Sequence, residues 1–366
     1  MNRGFSVYID GIRAAAALVV LLSHFAYPRF TDGRYIWIRD LYLGSDAVVI
    51  FFVLSGFVIT YCAKTKETAL GSFAFARASR FLSVAIPAVL IGFALDNLGA
   101  SMFPEFYAGQ FYNPLAFWEQ LAFGLTFANE WTGLATRLGT NGPYWSLSYE
   151  AAYYALFAVF FFLSGAVRWL LIAAMCVLFG VNVLLLMPCW LMGVYLYWRI
   201  GTSGLVAKPL AVVMAVLPPV IYIALLMSDV RADLTDFMRG FLSPAQYHGL
   251  RFSDAPVWDF MLACLTVIHL LGVHALCKAD GVETGSARIV RYLASCSFTI
   301  YLFHYPLLQF LKPWLASFAD LPASDLILLG ATLVICLGLA AVFERTLKQQ
   351  RQFVRRLFLA GPALSR

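Results

Sequence analysis

Apolar residues in this chain run in long stretches separated by short polar breaks, the pattern of a polypeptide that crosses a bilayer many times. A helical crossing takes about 20 mainly apolar residues. Eleven stretches approach that length: 8–28, 44–63, 81–98, 114–129, 147–164, 167–186, 188–200, 209–228, 256–278, 293–315 and 324–344. The fold class read from them is all-α, a polytopic transmembrane helix bundle. Two places are weak. Glu119 and Gln120 interrupt the short run 114–129, and Pro188 splits 167–186 from 188–200. The first run has no small-x-small cleavage site after it, so it is predicted to stay as a helix.

Charge then orients the bundle. Lys64, Lys66, Arg77 and Arg80 in loop 64–80, and Lys278, Arg288 and Arg291 around 279–292, place those loops in the cytoplasm. Segment 99–113 carries no Lys or Arg, and turn 316–323 has only Asp320, so both belong outside. Both termini are then cytoplasmic, which demands an even number of crossings. The expectation is about ten spans, with one of the eleven runs not a full crossing. Residues 1–345 form the membrane domain. Residues 346–366 form a basic cytoplasmic tail suited to an anionic leaflet, continuing a run of charge from Arg345 through Lys348, Arg351, Arg355 and Arg356. The polar stretch 228–255 is expected outside, as a lid, a substrate platform or a plain solvated loop.

Composition agrees: of 366 residues 61% are hydrophobic and only 13% charged, against about 25% charged in a soluble domain. That leaves no soluble basic face for nucleic acid, so no nucleic-acid partner is expected. The seven cysteines form no Cys-x-x-Cys pair and have no His at metal spacing. They read as small apolar fillers, with no metal expected.

The informative residues are the polar ones inside apolar runs, because each is costly in a bilayer unless it faces a cavity or another polar group. Arg13 and His24 are eleven residues apart, about 20° from three full turns, so they share a helix face about 16 Å apart along the axis. Asp10 lies on that face too and can pair with Arg13. Arg13 is equally able to snorkel, and His24 to bond a neighbouring helix. Asp46 opens the second run, whose Ser55 and Gly56 suit close helix contact. Arg77 and Arg80 share a face at i, i+3, as a phosphate clamp or as ordinary cytoplasmic flanks. Ser148 is a candidate cap and Glu150 a candidate acid–base group at the head of the fifth run. Ser297, Tyr301 and His304 stand at i, i+4, i+7, a polar stripe predicted to look into the bundle, with Pro306 loosening the backbone beyond it.

Taken in order, these segments resemble the acyltransferase family 3 membrane proteins, which acylate surface polysaccharides, O-antigen, macrolides and related molecules. The resemblance rests on Tyr8-Ile9-Asp10-Gly11-Ile12-Arg13 with His24, on Ser45-Asp46 through Phe57, on Arg77-Ala78-Ser79-Arg80, on Trp145 through Glu150, and on Ser297 through Pro306. Ala14 departs from the family's usual Gly after the Arg, and Pro87 lies further from Arg80 than the usual pattern. The resemblance implies a cytoplasmic acyl-CoA donor, acetyl-CoA above all, with no permanently bound cofactor. It implies a carbohydrate or glycolipid hydroxyl as acceptor across the bilayer, in a bacterial inner membrane. Arg13, Arg77 and Arg80 would hold the donor. His24 would be the base or the acyl carrier, with Glu150 or Asp46 orienting it and His304 as a further catalytic candidate. Trp145, Ser148 and Tyr301 would meet substrate. The rivals are a transporter or proton-coupled permease with a buried His/Glu/Arg relay, and a structural or sensory membrane protein.

Overall fold

The computed structural model describes residues 2–202, 206–277, 285–316 and 324–344. The tail at 346–366, Lys278 and Asp320 lie outside the described residues. Among the described residues, ten helices of 16 residues or more make up the bundle: α1 (Arg3–Phe25), α2 (Leu43–Thr65), α3 (Leu70–Met102), α4 (Trp145–Phe162), α5 (Gly165–Leu185), α6 (Met187–Thr202), α7 (Lys208–Leu226), α8 (Pro256–Leu276), α9 (Gly285–Ala316) and α10 (Ser324–Phe343). Seven of them (α1, α2, α3, α5, α7, α8 and α10) are long and apolar enough to cross a membrane. The described residues contain no strand, only two isolated bridges. The chain is an all-α integral membrane protein. Val177 on α5 and Val220 on α7 are among the many large apolar side chains left exposed, a surface suited to lipid rather than water.

One of the two weak runs falls short of a crossing, and two other sequence expectations change. The run 114–129 holds only a ten-residue helix, Phe117–Thr126, with Gln120 buried against α3. The third helix starts at Leu70, not near residue 81, so Arg77 and Arg80 sit within α3 rather than in a loop before it. The polar stretch 228–255 is no plain loop: it carries helices Val230–Arg239 and Pro244–Leu250, and its Arg231 reaches into the bundle. Pro306 does not end α9, which runs on through Pro313.

Two helices carry the centre of the molecule. α2 is the most enclosed of the seven, with 67% of its apolar window buried. It meets α6 where two glycines face backbone. A Cβ on Gly193 would stand 1.9 Å from Val53 O, and one on Gly56 2.1 Å from Trp190 O. Only Gly allows that approach. At its other end, a Cβ on Gly44 would strike Ser23 Oγ at 2.6 Å, so this glycine lets α2 begin beside His24. α9 packs along α1, its stripe from Ser297 to His304 fully inside. None of the seven cysteines forms a disulfide, and Cys189, Cys296 and Cys336 are buried among apolar side chains.

Candidate active site

The polar faces of α1 and α9 meet at two levels. Near one end, Arg13 ion-pairs with Asp10 at 3.5 Å, and its Nη2 donates to Ser297 Oγ at 3.4 Å. Towards the other end, His24 Nδ1 is 3.1 Å from His304 Nε2. The periodicity that placed Arg13 with His24, and Ser297 with His304, therefore puts two stripes on one seam. The two helices run parallel there, since both pairs ascend the chain together.

Carbonyl oxygens set the imidazole tautomers. His304 Nδ1 lies 2.8 Å from Ile300 O, which only accepts, so Nδ1 carries the proton and Nε2 presents its lone pair. His24 Nδ1 faces two acceptors, that lone pair and Val20 O at 2.9 Å, so it carries a proton as well. His24 Nε2 is left as the basic nitrogen. Its ring packs edge-on against Tyr305 and stacks at 6.0 Å on Tyr27, which fixes its orientation.

Around this seam lie three cavities that share walls. The first is a vestibule of about 740 Å³ empty volume, lined by Arg13, Arg80, Arg291, Asp10 and Glu344. It shares Arg13, Arg80 and Phe298 with an inner cavity of about 860 Å³, where Arg77 joins the arginines and Val58, Ile59 and Phe51 give apolar walls. The inner cavity in turn shares Val48, Phe52 and Tyr301 with an outer cavity of about 1030 Å³ that contains His24. Tyr301 stands at that junction, donating to Pro143 O at 2.9 Å and bonded to Ser146 Oγ at 2.6 Å. The chain of cavities thus leads from a cationic end to a base.

The three candidate cations differ in what already holds them. Arg77 is bound to Glu67 at 2.5 Å. Arg13 has Asp10 and Ser297. The Arg80 guanidinium borders both the vestibule and the inner cavity and makes no hydrogen bond or ion pair among the described residues. A half-buried guanidinium with open donors is a ready site for an anion.

Other candidates move away from His24. Glu150 does not orient it. Its Oε1 accepts from Ser55 Oγ and Tyr154 OH, each at 2.5 Å, on the wall of the inner cavity. Asp46 does not orient it either. Its carboxylate takes Arg231 at 2.6 Å, Tyr222 OH at 2.8 Å and Trp258 Nε1 at 2.9 Å, locking the 228–255 segment onto α2, α7 and α8. His304 holds the place expected of those two acids. Ser148 neither caps a helix nor lines any of these three cavities. α4 begins three residues earlier, and the fully buried Ser148 Oγ accepts from Glu130 N. Trp145 and Tyr301 do line the outer cavity, where Trp145 stacks on Phe252 with centroids 4.4 Å apart.

Several residues of this region escaped the sequence reading. Arg39 stacks over Tyr27 at 3.5 Å and donates to Ser23 O, beside the base. Glu130, outside the spanning helices, is buried 3.7 Å from Arg251 of the outer cavity. No apolar run surrounds either one, so neither stands out in the sequence as a polar residue inside a span.

Burial pushes the Glu130 carboxyl up to about 7, with Arg251 pulling the other way. An unfolded glutamate ionises near 4.5. Between those values the native state holds the extra proton, so this residue's contribution to stability falls as pH rises through the window, by about 3 kcal/mol in all. In Glu130→Gln that contribution is gone. The melting temperature of the variant relative to wild type is expected to climb from pH 4.5 to 7 and then level. A pH-independent difference between the two proteins would reject this account of Glu130.

The comparisons with known proteins agree with the geometry. The family model for an acyltransferase domain, acyltransferase family 3, matches residues 6–341. Acyltransferase MdmB of Streptomyces mycarofaciens is 30% identical over 158 residues, which is 42% of this chain and 38% of that protein. The alignment therefore spans well under half of that relative's length. No solved structure matches.

Proposed function

The chain belongs to this acyltransferase family, and from that premise we propose that it moves an acyl group, acetyl in the first instance, from cytoplasmic acyl-CoA to a hydroxyl of a carbohydrate or glycolipid beyond the bilayer. One observation carries the reading: shared cavity walls link the open Arg80 guanidinium to His24 Nε2. Arg80, Arg13 and Arg77 would take the donor's phosphates. An extended pantetheine arm would pass along the apolar inner cavity, since the Arg13–His24 separation of about 16 Å suits its reach. Its thioester would arrive at the Ser146–Tyr301 junction.

His24 Nε2 would remove the acceptor hydroxyl's proton as the oxygen attacks the thioester carbonyl. The C–S bond breaks, and CoA leaves as thiolate and recovers that proton. The imidazolium formed in between is stabilised by its Nδ1–H bond to the His304 lone pair. Basic loops at the Arg13 end would face the cytoplasm of a bacterial inner membrane, and the His24 end the far side. The same groups in a permease would need no family-wide acyltransferase match, so the enzyme reading stands ahead.

The test uses purified protein in detergent with radiolabelled acetyl-CoA and no acceptor. His24-dependent release of CoA, with water standing in for the acceptor hydroxyl, is the expected result. If neither acetyl-CoA nor a longer acyl-CoA is bound or turned over, the donor assignment is lost.

A further inference from the structure

The outer cavity holds a carboxylate that the transfer chemistry above does not use. Asp259 sits in the first turn of α8, is 4% exposed, and lines the cavity with His24. Among the described residues its carboxylate has no hydrogen bond and no ion pair. The ordinary role of a first-turn acid is to cap the helix N-terminus or to sit against its dipole in solvent. Here no side chain caps α8, and this side chain is shut away from bulk water.

No cation among the described residues bonds it as a counter-charge: Arg39, also on this cavity, is held over Tyr27 at 3.5 Å and donates to Ser23 O. Arg231, on the same cavity, is spent on Asp46 at 2.6 Å and stacks on Tyr42 at 4.3 Å. Arg251 faces Glu130. Those two cations are matched by acids that do not line the cavity. Asp254, which does line it, adds a second carboxylate to the same space. A buried ionised carboxylate without a partner is unfavourable, and a cation brought by a ligand relieves it more than a neutral donor does. The aromatic rings of Tyr27, Trp145 and Phe252 line the remaining wall, which suits the apolar face of a ring-shaped ligand or the face of a cation.

We infer that Asp259, with Asp254, is a recognition subsite for a protonated amine carried by the molecule whose hydroxyl is acylated, the chemistry of an amino sugar rather than of a neutral or acidic one. Calling that molecule the acceptor rests on the proposed function. The binding claim does not.

The test is therefore made by binding. Wild type and Asp259→Asn are melted in detergent with glucosamine, glucose or glucuronate as probes, in the absence of any donor. Glucosamine is expected to raise the wild-type melting temperature at concentrations about tenfold lower than glucose, the advantage of a charge-assisted bond, with glucuronate inert. In Asp259→Asn that advantage disappears. Without ligand the variant melts no lower than wild type, because the carboxyl it replaces has no partner among the described residues. The inference is overturned by equal responses to glucose and glucosamine, by no glucosamine response in wild type, or by its survival in the variant. A variant that melts lower, or does not fold, would make Asp259 a structural residue and overturn it as well. CoA release from acetyl-CoA, measured separately, shows whether the transferase reading stands whatever these probes do.

Discussion

Replacing His24 with Ala is expected to lower acyl transfer by about 10²–10⁴-fold, the span of a positioned general base, while donor affinity stays within about twofold. The two effects separate because the donor's phosphates would sit at the arginines, about 16 Å away along α1. His304→Ala is expected to cost less, about tenfold, since it removes the acceptor of the His24 Nδ1 proton but leaves Val20 O to hold the same tautomer. Exogenous imidazole should restore part of the rate to His24→Ala, because the outer cavity leaves room for it, and should do nothing for an arginine variant. These rates are read as label transferred per minute at saturating acetyl-CoA. A His24→Ala protein that keeps wild-type turnover would sink the assignment of the base. An equal loss on His304→Ala would instead point to the pair acting as one unit.

Helical periodicity made one layer of this site legible and left another hidden. Arg13 with His24, and Ser297 with His304, were found because a 3.6-residue period puts each pair on one face, and polar faces in a bilayer must meet something. The partner across the gap was not legible. Periodicity says which side of α1 bears His24, but not which helix packs there, so Glu150 and Asp46 stood as its orienting groups and His304 only as a separate catalytic candidate. Packing chose His304 and gave Asp46 to Arg231, a residue 185 positions away. The start of α3 was misjudged because its first turns carry Arg77 and Arg80, and a hydropathy reading takes charge as the edge of a span. Asp259 was visible as an acid three residues into an apolar run. That is the ordinary place of a first-turn aspartate, and only the cavity beside it sets this one apart, with no partner among the described residues.

Arg80→Ala is the second large effect expected, and it should fall on the donor alone. A guanidinium bonding phosphate in a half-buried site is worth more than a neutral hydrogen bond, and its loss should raise KM for acetyl-CoA about 10–100-fold with kcat little changed. The opposing term is small, because among the described residues Arg80 has no ion pair to give up when it binds an anion. Arg77 must first yield Glu67, so Arg77→Ala is expected to lose less affinity than Arg80→Ala, although both face the same cavity. Raising salt should weaken the wild-type KM more than that of Arg80→Ala, since the missing charge no longer competes with ions. Acetyl-pantetheine, which lacks the nucleotide phosphates, should react with wild type and Arg80→Ala alike. If Arg80→Ala instead lowers kcat for both donors with KM unchanged, the guanidinium serves the reacting end, and the vestibule is not where the nucleotide enters.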